Sequence, residues 1–119
     1  MIRKLTPQNF ELVSGNDKDV RFTTLDQDDI AVDITGATII WALARSAKNK
    51  SALFTYTSPT NIAITNGLAG KFTVSIQDTD TLTLKAGKYY HEARVTSAAG
   101  KKITVAYGEV DMLDNVIDT

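Results

Sequence analysis

Apolar and polar positions alternate with period two along most of this chain, and the apolar positions are dominated by β-branched and aromatic residues. That is the signature of half-buried strands. Abundant Thr suits the same pleated surfaces. No segment sustains helical spacing over two turns. The Ala-rich stretch 40–47 is the best helix candidate, but it follows Gly36 and continues Ile39-Ile40-Trp41, so it reads as strand. Strands are predicted at 8–13, 20–25, 37–46, 53–57, 62–65, 71–77, 88–97 and 102–113. Between them lie Ser14-Gly15-Asn16-Asp17, Asp26-Gln27-Asp28-Asp29, Ser58-Pro59-Thr60-Asn61, Asn66-Gly67 and Ala98-Ala99-Gly100, which are turn chemistry. Short strands at about 8–12-residue spacing with such turns predict an all-β sandwich or barrel.

Two runs carry most of the architectural information. Asp33-Ile34-Thr35-Gly36-Ala37-Thr38-Ile39-Ile40-Trp41-Ala42-Leu43 is answered by Gly87-Lys88-Tyr89-Tyr90-His91-Glu92-Ala93-Arg94-Val95. Each is a turn or loop signal feeding a strand with an aromatic near its start. Trp41 shares a face with Ile39 and Leu43. The stretch from Asp78 to Tyr89 looks like the corner before the sixth strand of an immunoglobulin-like sandwich, where a Tyr hydroxyl bonds backbone a few residues upstream. Tyr89 takes that part, and Trp41 packs mid-core. His91 falls two residues after the Tyr, where antibody domains place their second Cys. The fold class is therefore an all-β, immunoglobulin-like antiparallel sandwich of about seven to nine strands.

The last hairpin fixes which residues share a face. A two-residue loop of Ala99-Gly100 sets Val95 opposite Thr104 and Arg94 opposite Val105. A three-residue loop of Ala98-Ala99-Gly100 sets Val95 opposite Ile103, Ala93 opposite Val105 and His91 opposite Tyr107. Only the second sets apolar against apolar and puts Gly100 at the left-handed loop position. Trp41, Tyr89, Val95 and Ile103 are then expected in one dry interior, and Tyr90, Glu92 and Arg94 face away from it.

Length and composition bound the rest. At 119 residues the chain is expected to be one domain, 1–119, with its core at about 8–113. The absence of Cys excludes disulfides, thiolate zinc sites and cysteine nucleophiles. Net charge is −1 with scattered Lys and Arg, which gives no basic stripe for nucleic acid. Met1-Ile2-Arg3-Lys4-Leu5 lacks the apolar run of a signal peptide, and no segment nears the roughly 18 apolar residues of a membrane helix. No nucleic-acid or membrane partner is expected.

Catalytic chemistry is equally sparse. His91 is the only His, it sits on the predicted core face, and no G-x-S-x-G elbow accompanies it. It reads as a core His bonded to Tyr or backbone. His91-Glu92-Ala93-Arg94-Val95 begins like a zincin motif but lacks the second His and lies on a strand. In the Asp26-Gln27-Asp28-Asp29 turn, the EF-hand Gly and Glu positions hold Ala31 and Ala37. A looser Ca²⁺ site using Asp78 or Asp80 is the alternative to a plain solvated turn. With three Glu and no P-loop, glycosidase and nucleotide chemistry find no support. No enzyme activity, cofactor or metal is expected. The softer signal is exposed aromatics: Tyr56, Tyr90 and Phe54 are placed on an outer face, as protein anchors, as sugar platforms or as ordinary cross-strand pairs. The terminal run 111–119 is either a docking tail or a frayed end.

The order of these motifs resembles the small immunoglobulin-like domains of tailed-phage and prophage structural proteins, including the N-terminal domain of baseplate upper proteins. The resemblance runs over about 10–113. It is carried by Val32-Asp33-Ile34-Thr35-Gly36-Ala37-Thr38, Gly70-Lys71-Phe72-Thr73-Val74-Ser75-Ile76, Asp78-Thr79, Gly87-Lys88-Tyr89-Tyr90-His91-Glu92-Ala93 and Gly108-Glu109-Val110. It implies a non-enzymatic virion component of tail or baseplate, made in the bacterial host cytoplasm. Such a protein acts through assembly with other tail proteins or as a homo-oligomer. Baseplate upper proteins continue into further regions, so a stand-alone component or adaptor is expected here. The candidate interface residues are Tyr90, Glu92, Arg94 and Tyr56, with the terminal segments. The alternative function is a carbohydrate or host-surface binding module.

Overall fold

A computed structural model describes residues 7–26, 28–46, 48 and 51–115. The eight predicted strands all form: β1 Phe10–Val13, β2 Lys18–Thr23, β3 Thr38–Ala44, β4 Ala52–Thr57, β5 Ile62–Asn66, β6 Lys71–Ile76, β7 Gly87–Thr96 and β8 Lys102–Leu113. One helical turn, α1 Asp78–Thr81, occupies the corner between β6 and β7. Two sheets result, ordered β1-β8-β7-β3-β4 and β2-β6-β5. All pairings are antiparallel except β1 with β8, which is parallel. The expectation of a purely antiparallel sandwich is corrected there. β1 and β8 are far apart in sequence, so no hairpin dictates their direction, and the parallel register sets Leu12 beside Met112, both buried.

The alternation that predicted the strands also builds the core. Ile39, Trp41 and Leu43 point in from β3, and Tyr89, His91, Ala93 and Val95 from β7. Phe22 on β2 and Phe72, Val74 and Ile76 on β6 meet them from the smaller sheet. Trp41 has no exposed surface. The Asp33–Gly36 turn feeds β3 as its residues suggest. Thr35 donates its backbone N–H and its hydroxyl to Asp33 Oδ1, which lowers the Asp33 pKa, the hydroxyl contributing most. Gly36 supplies a φ of +75°, and Ile34 drops into the core.

The β7–β8 hairpin follows the three-residue loop. Ser97 N–H donates to Lys101 C=O, Gly100 takes φ +90°, and Val95 faces Ile103. Beyond Arg94 the register shifts by one residue. Val105 is the extra residue, Ala93 faces Ala106, and His91 faces Gly108 rather than Tyr107. Ile103 is 53% exposed, so it does not join Trp41, Tyr89 and Val95 in the interior. It lies at the rim of a cavity of about 60 Å³ between this hairpin and the β2–β3 loop.

Candidate interaction surface

The inward side of β7 is closed chemically. The Trp41 indole N–H donates to His91 Nδ1 at 3.2 Å, and His91 Nε2 lies 2.6 Å from the Gln8 carbonyl. The first bond leaves Nδ1 without a proton, so Nε2 carries it and donates to Gln8. His91 is thus neutral, and burial lowers its pKa while the Gln8 bond opposes that shift. Phe10 and Phe22 close over the ring at centroid distances of 5.0 and 5.9 Å. The expected partner was Tyr or backbone; the structure gives backbone and an indole.

Gln8 was not singled out by its sequence context, yet it touches both sheets. Its N–H donates to Tyr107 C=O and its side-chain amide donates to Arg21 C=O on β2. Gly108 permits this approach. A Cβ at Gly108 would meet the Gln8 carbonyl inside contact distance, with its carbon at 2.6 Å and Asn9 Oδ1 at 2.8 Å. Tyr107 at that inward position would fill the same space, so the bulge turns it outward.

The outward side of β7 carries Tyr90, Glu92 and Arg94. Register places Tyr90 between Ala44 and Glu109, Glu92 between Ala42 and Tyr107, and Arg94 between Ile40 and Thr104. Tyr90, Glu92 and Arg94 therefore stand beside the half-buried Ile40, Ala42 and Ala44 of β3, with Tyr107 beyond them on β8. The Tyr90 and Tyr107 rings sit 6.4 Å apart at 41°, and the Tyr90 hydroxyl is 3.5 Å from Glu92 Oε1. Partial burial, and then the Glu92 charge, raise the Tyr90 pKa. Lys88 forms a 2.9 Å ion pair with Asp111 at the margin of this face, and that bond raises its pKa. Tyr107 is the residue of this face that sequence reasoning missed, because the alternation of Val105, Tyr107 and Glu109 conceals the bulge.

Tyr56 does not belong to this surface, which corrects the sequence expectation. It lies directly across from Trp41 on β4, so the pair shares the inner face. The residue is 5% exposed, and its ring stacks on Trp41 at 5.9 Å. Its hydroxyl donates to Asp80 Oδ2 at 2.6 Å and accepts the Gln77 N–H at 3.0 Å. Burial, and then the bond to Asp80, push its pKa far above that of a free phenol. Phe54 likewise packs inward against Trp41.

The acidic turns are occupied by local bonding. Asp26 Oδ1 accepts the N–H groups of Asp28 and Ile30, and Asp17 Oδ1 accepts that of Asp78. Asp26 and Asp78 lie at opposite ends of the β2–β6 pair, which does not bring together the ligands of the looser Ca²⁺ site. Among the described residues no group of three or more His, Cys, Asp or Glu is placed to hold a metal ion. Residues 111–113 of the terminal run belong to β8 and pair with β1, while residues 1–6 and 116–119 lie outside the described residues. Neither a protein-family model nor a curated protein matches this chain.

Proposed function

We propose that this chain is an immunoglobulin-like sandwich that works as a non-enzymatic protein–protein assembly module. On the resemblance of its motifs, its setting is a tailed-phage or prophage particle, in the tail or baseplate. Three features support the immunoglobulin-like reading. The larger sheet joins β3, β7 and β8 as its centre and the smaller joins β2, β6 and β5. Tyr89 donates its hydroxyl to the Lys85 carbonyl at 2.7 Å, as a tyrosine corner does. His91 and Phe22 pack against each other beside Trp41, where antibody domains carry their inter-sheet disulfide.

The observation that carries the assembly reading is the outer face of the five-stranded sheet. Tyr90, Tyr107 and Arg94 are the residue types that anchor interfaces; Tyr90 and Arg94 flank the Ile40-Ala42-Ala44 row from β7, and Tyr107 lies one strand further out on β8. His91, the residue most apt for general-base work, is sealed from solvent with both ring nitrogens engaged. The carbohydrate reading loses one of its two Tyr residues, because Tyr56 is buried.

Co-expression with the products of flanking genes tests this. A complex with a tail or baseplate protein is expected, and Tyr90→Ala with Arg94→Glu is expected to weaken it at least about tenfold. Failure of every such product to bind, or binding indifferent to both substitutions, would contradict the proposal. A glycan array that lights up and goes dark on Tyr90→Ala would favour the sugar reading instead.

A further inference from the structure

Residues 51–70 contain no Asp, Glu, Lys, Arg or His, although 23% of the chain is charged. This stretch holds β4 and β5, which end the two sheets. Exposed sheet edges template pairing with other chains, and proteins block them with charges, Pro or bulges. The other free edges follow that rule: β1 carries Glu11, and β2 carries Lys18, Asp19 and Arg21. β4 reads Ala52-Leu53-Phe54-Thr55-Tyr56-Thr57 and carries no charge and no Pro.

The outward backbone of β4 is open at Thr55 and at the Thr57 N–H, while the Thr57 C=O already accepts the Thr60 N–H at 3.0 Å. Ser58 N–H donates to Ile39 C=O, so residue 58 points its polar groups at β3. Alternation then turns Tyr56 and Phe54 toward β3 and leaves Thr55 and Thr57 pointing away. Among the described residues no strand lies beyond β4. The single irregularity falls at Leu53, before the regular stretch begins. Leu53 itself is 45% exposed. β5 is less open, because Ser58 and Pro59 stand beside it across an open groove of about 440 Å³.

We infer that β4 is a self-association edge that pairs antiparallel with β4 of a second copy, joining two five-stranded sheets into one. Charge argues for a second copy as the occupant. Two-fold pairing brings each strand onto itself, so any single-sign charge on β4 would meet its like, and there is none. The whole chain, at net −1, adds little repulsion between copies. A register with Thr55 of one copy facing Thr57 of the other satisfies the outward N–H groups of both strands, each Thr57 C=O accepting a second N–H beside that of Thr60, and pairs Thr with Thr. This edge adjoins the Tyr90 face, because Thr55 and Thr57 face Ala42 and Ile40 of its apolar row, and the Thr55→Pro and Arg94→Glu variants tell the two surfaces apart.

Sedimentation equilibrium on the full chain tests the edge. The expected result is a reversible dimer whose dissociation constant rises at least about tenfold in both Thr55→Lys and Thr55→Pro, while Arg94→Glu, and Thr83→Lys at an exposed position of the loop between α1 and β7, leave it unchanged. Amide exchange on the unaltered chain is the second reading. Thr55 and Thr57 should gain protection as concentration rises, whereas Phe54 and Tyr56 stay protected throughout. A monomer up to about millimolar concentration would overturn the inference. A dimer that survives both Thr55 variants, or one lost in Arg94→Glu alone, would overturn it equally.

Discussion

His91 uses each ring nitrogen once: Nδ1 accepts from Trp41, and Nε2 donates to Gln8. A second proton on Nδ1 would point at the indole N–H, and among the described residues no carboxylate shifts the ring's titration to compensate it. Its pKa in the folded protein is therefore depressed, while the unfolded chain keeps the ordinary value near 6.5. The unfolded state then binds more protons just below that value, so stability falls as pH drops from about 6.5 toward the folded pKa and levels off beneath it. Urea denaturation between pH 7.5 and 5 should show a loss approaching at most about 1.4 kcal/mol per pH unit. His91→Phe should remove most of that slope. A flat profile in the original chain would contradict the assignment. Gly108 supports the same contact from β8. Gly108→Ala should cost about 1–3 kcal/mol, because the added methyl meets fixed Gln8 backbone rather than a flexible side chain. Differential scanning calorimetry reads this directly, and an unchanged melting temperature would count against the packing described.

Among the elements, β4 and the β7–β8 hairpin show where sequence reasoning works and where it stops. The hairpin loop was legible because Ala98-Ala99-Gly100 offers one left-handed position and one register that matches apolar partners. The bulge at Val105 was not, since Val105 and Ala106 are both apolar and either satisfies the alternation. Gly108 decides between them through its contact with Gln8, about a hundred residues away in sequence. On β4, Leu53 competes with Phe54 and Tyr56 for the inner face, and the register against Trp41 settles the matter only in three dimensions. Of the candidate surface, Tyr90, Glu92 and Arg94 were legible from the strict alternation of β7, whereas Tyr107 and Tyr56 depended on these hidden registers. The Tyr56 hydroxyl also ties β4 to the α1 corner through Asp80 and Gln77. Tyr56→Phe leaves the ring in place but strands the Gln77 N–H and a partner of Asp80. A loss of about 1–3 kcal/mol in urea unfolding is expected. A neutral substitution would show that water replaces the hydroxyl without cost.

At the scale of the molecule, two layers without disulfides are joined through Trp41, His91, Phe22 and Gln8. Trp41 and His91 belong to the larger sheet and Phe22 to the smaller, and Gln8 bonds to both. The surfaces proposed for function, the Tyr90 face and the uncharged β4 edge, lie outside this interior. Fully buried Trp41 should be costly to remove: Trp41→Ala is expected to lose about 3–5 kcal/mol, a large share of an ordinary domain's stability. Nitrogen-15 NMR of the His91 ring at pH 7 is the most direct measurement of this joint. The predicted result is a neutral imidazole protonated at Nε2, with the Trp41 indole proton slow to exchange. An Nδ1-protonated or charged ring, or an indole proton lost to solvent within seconds, would contradict the account.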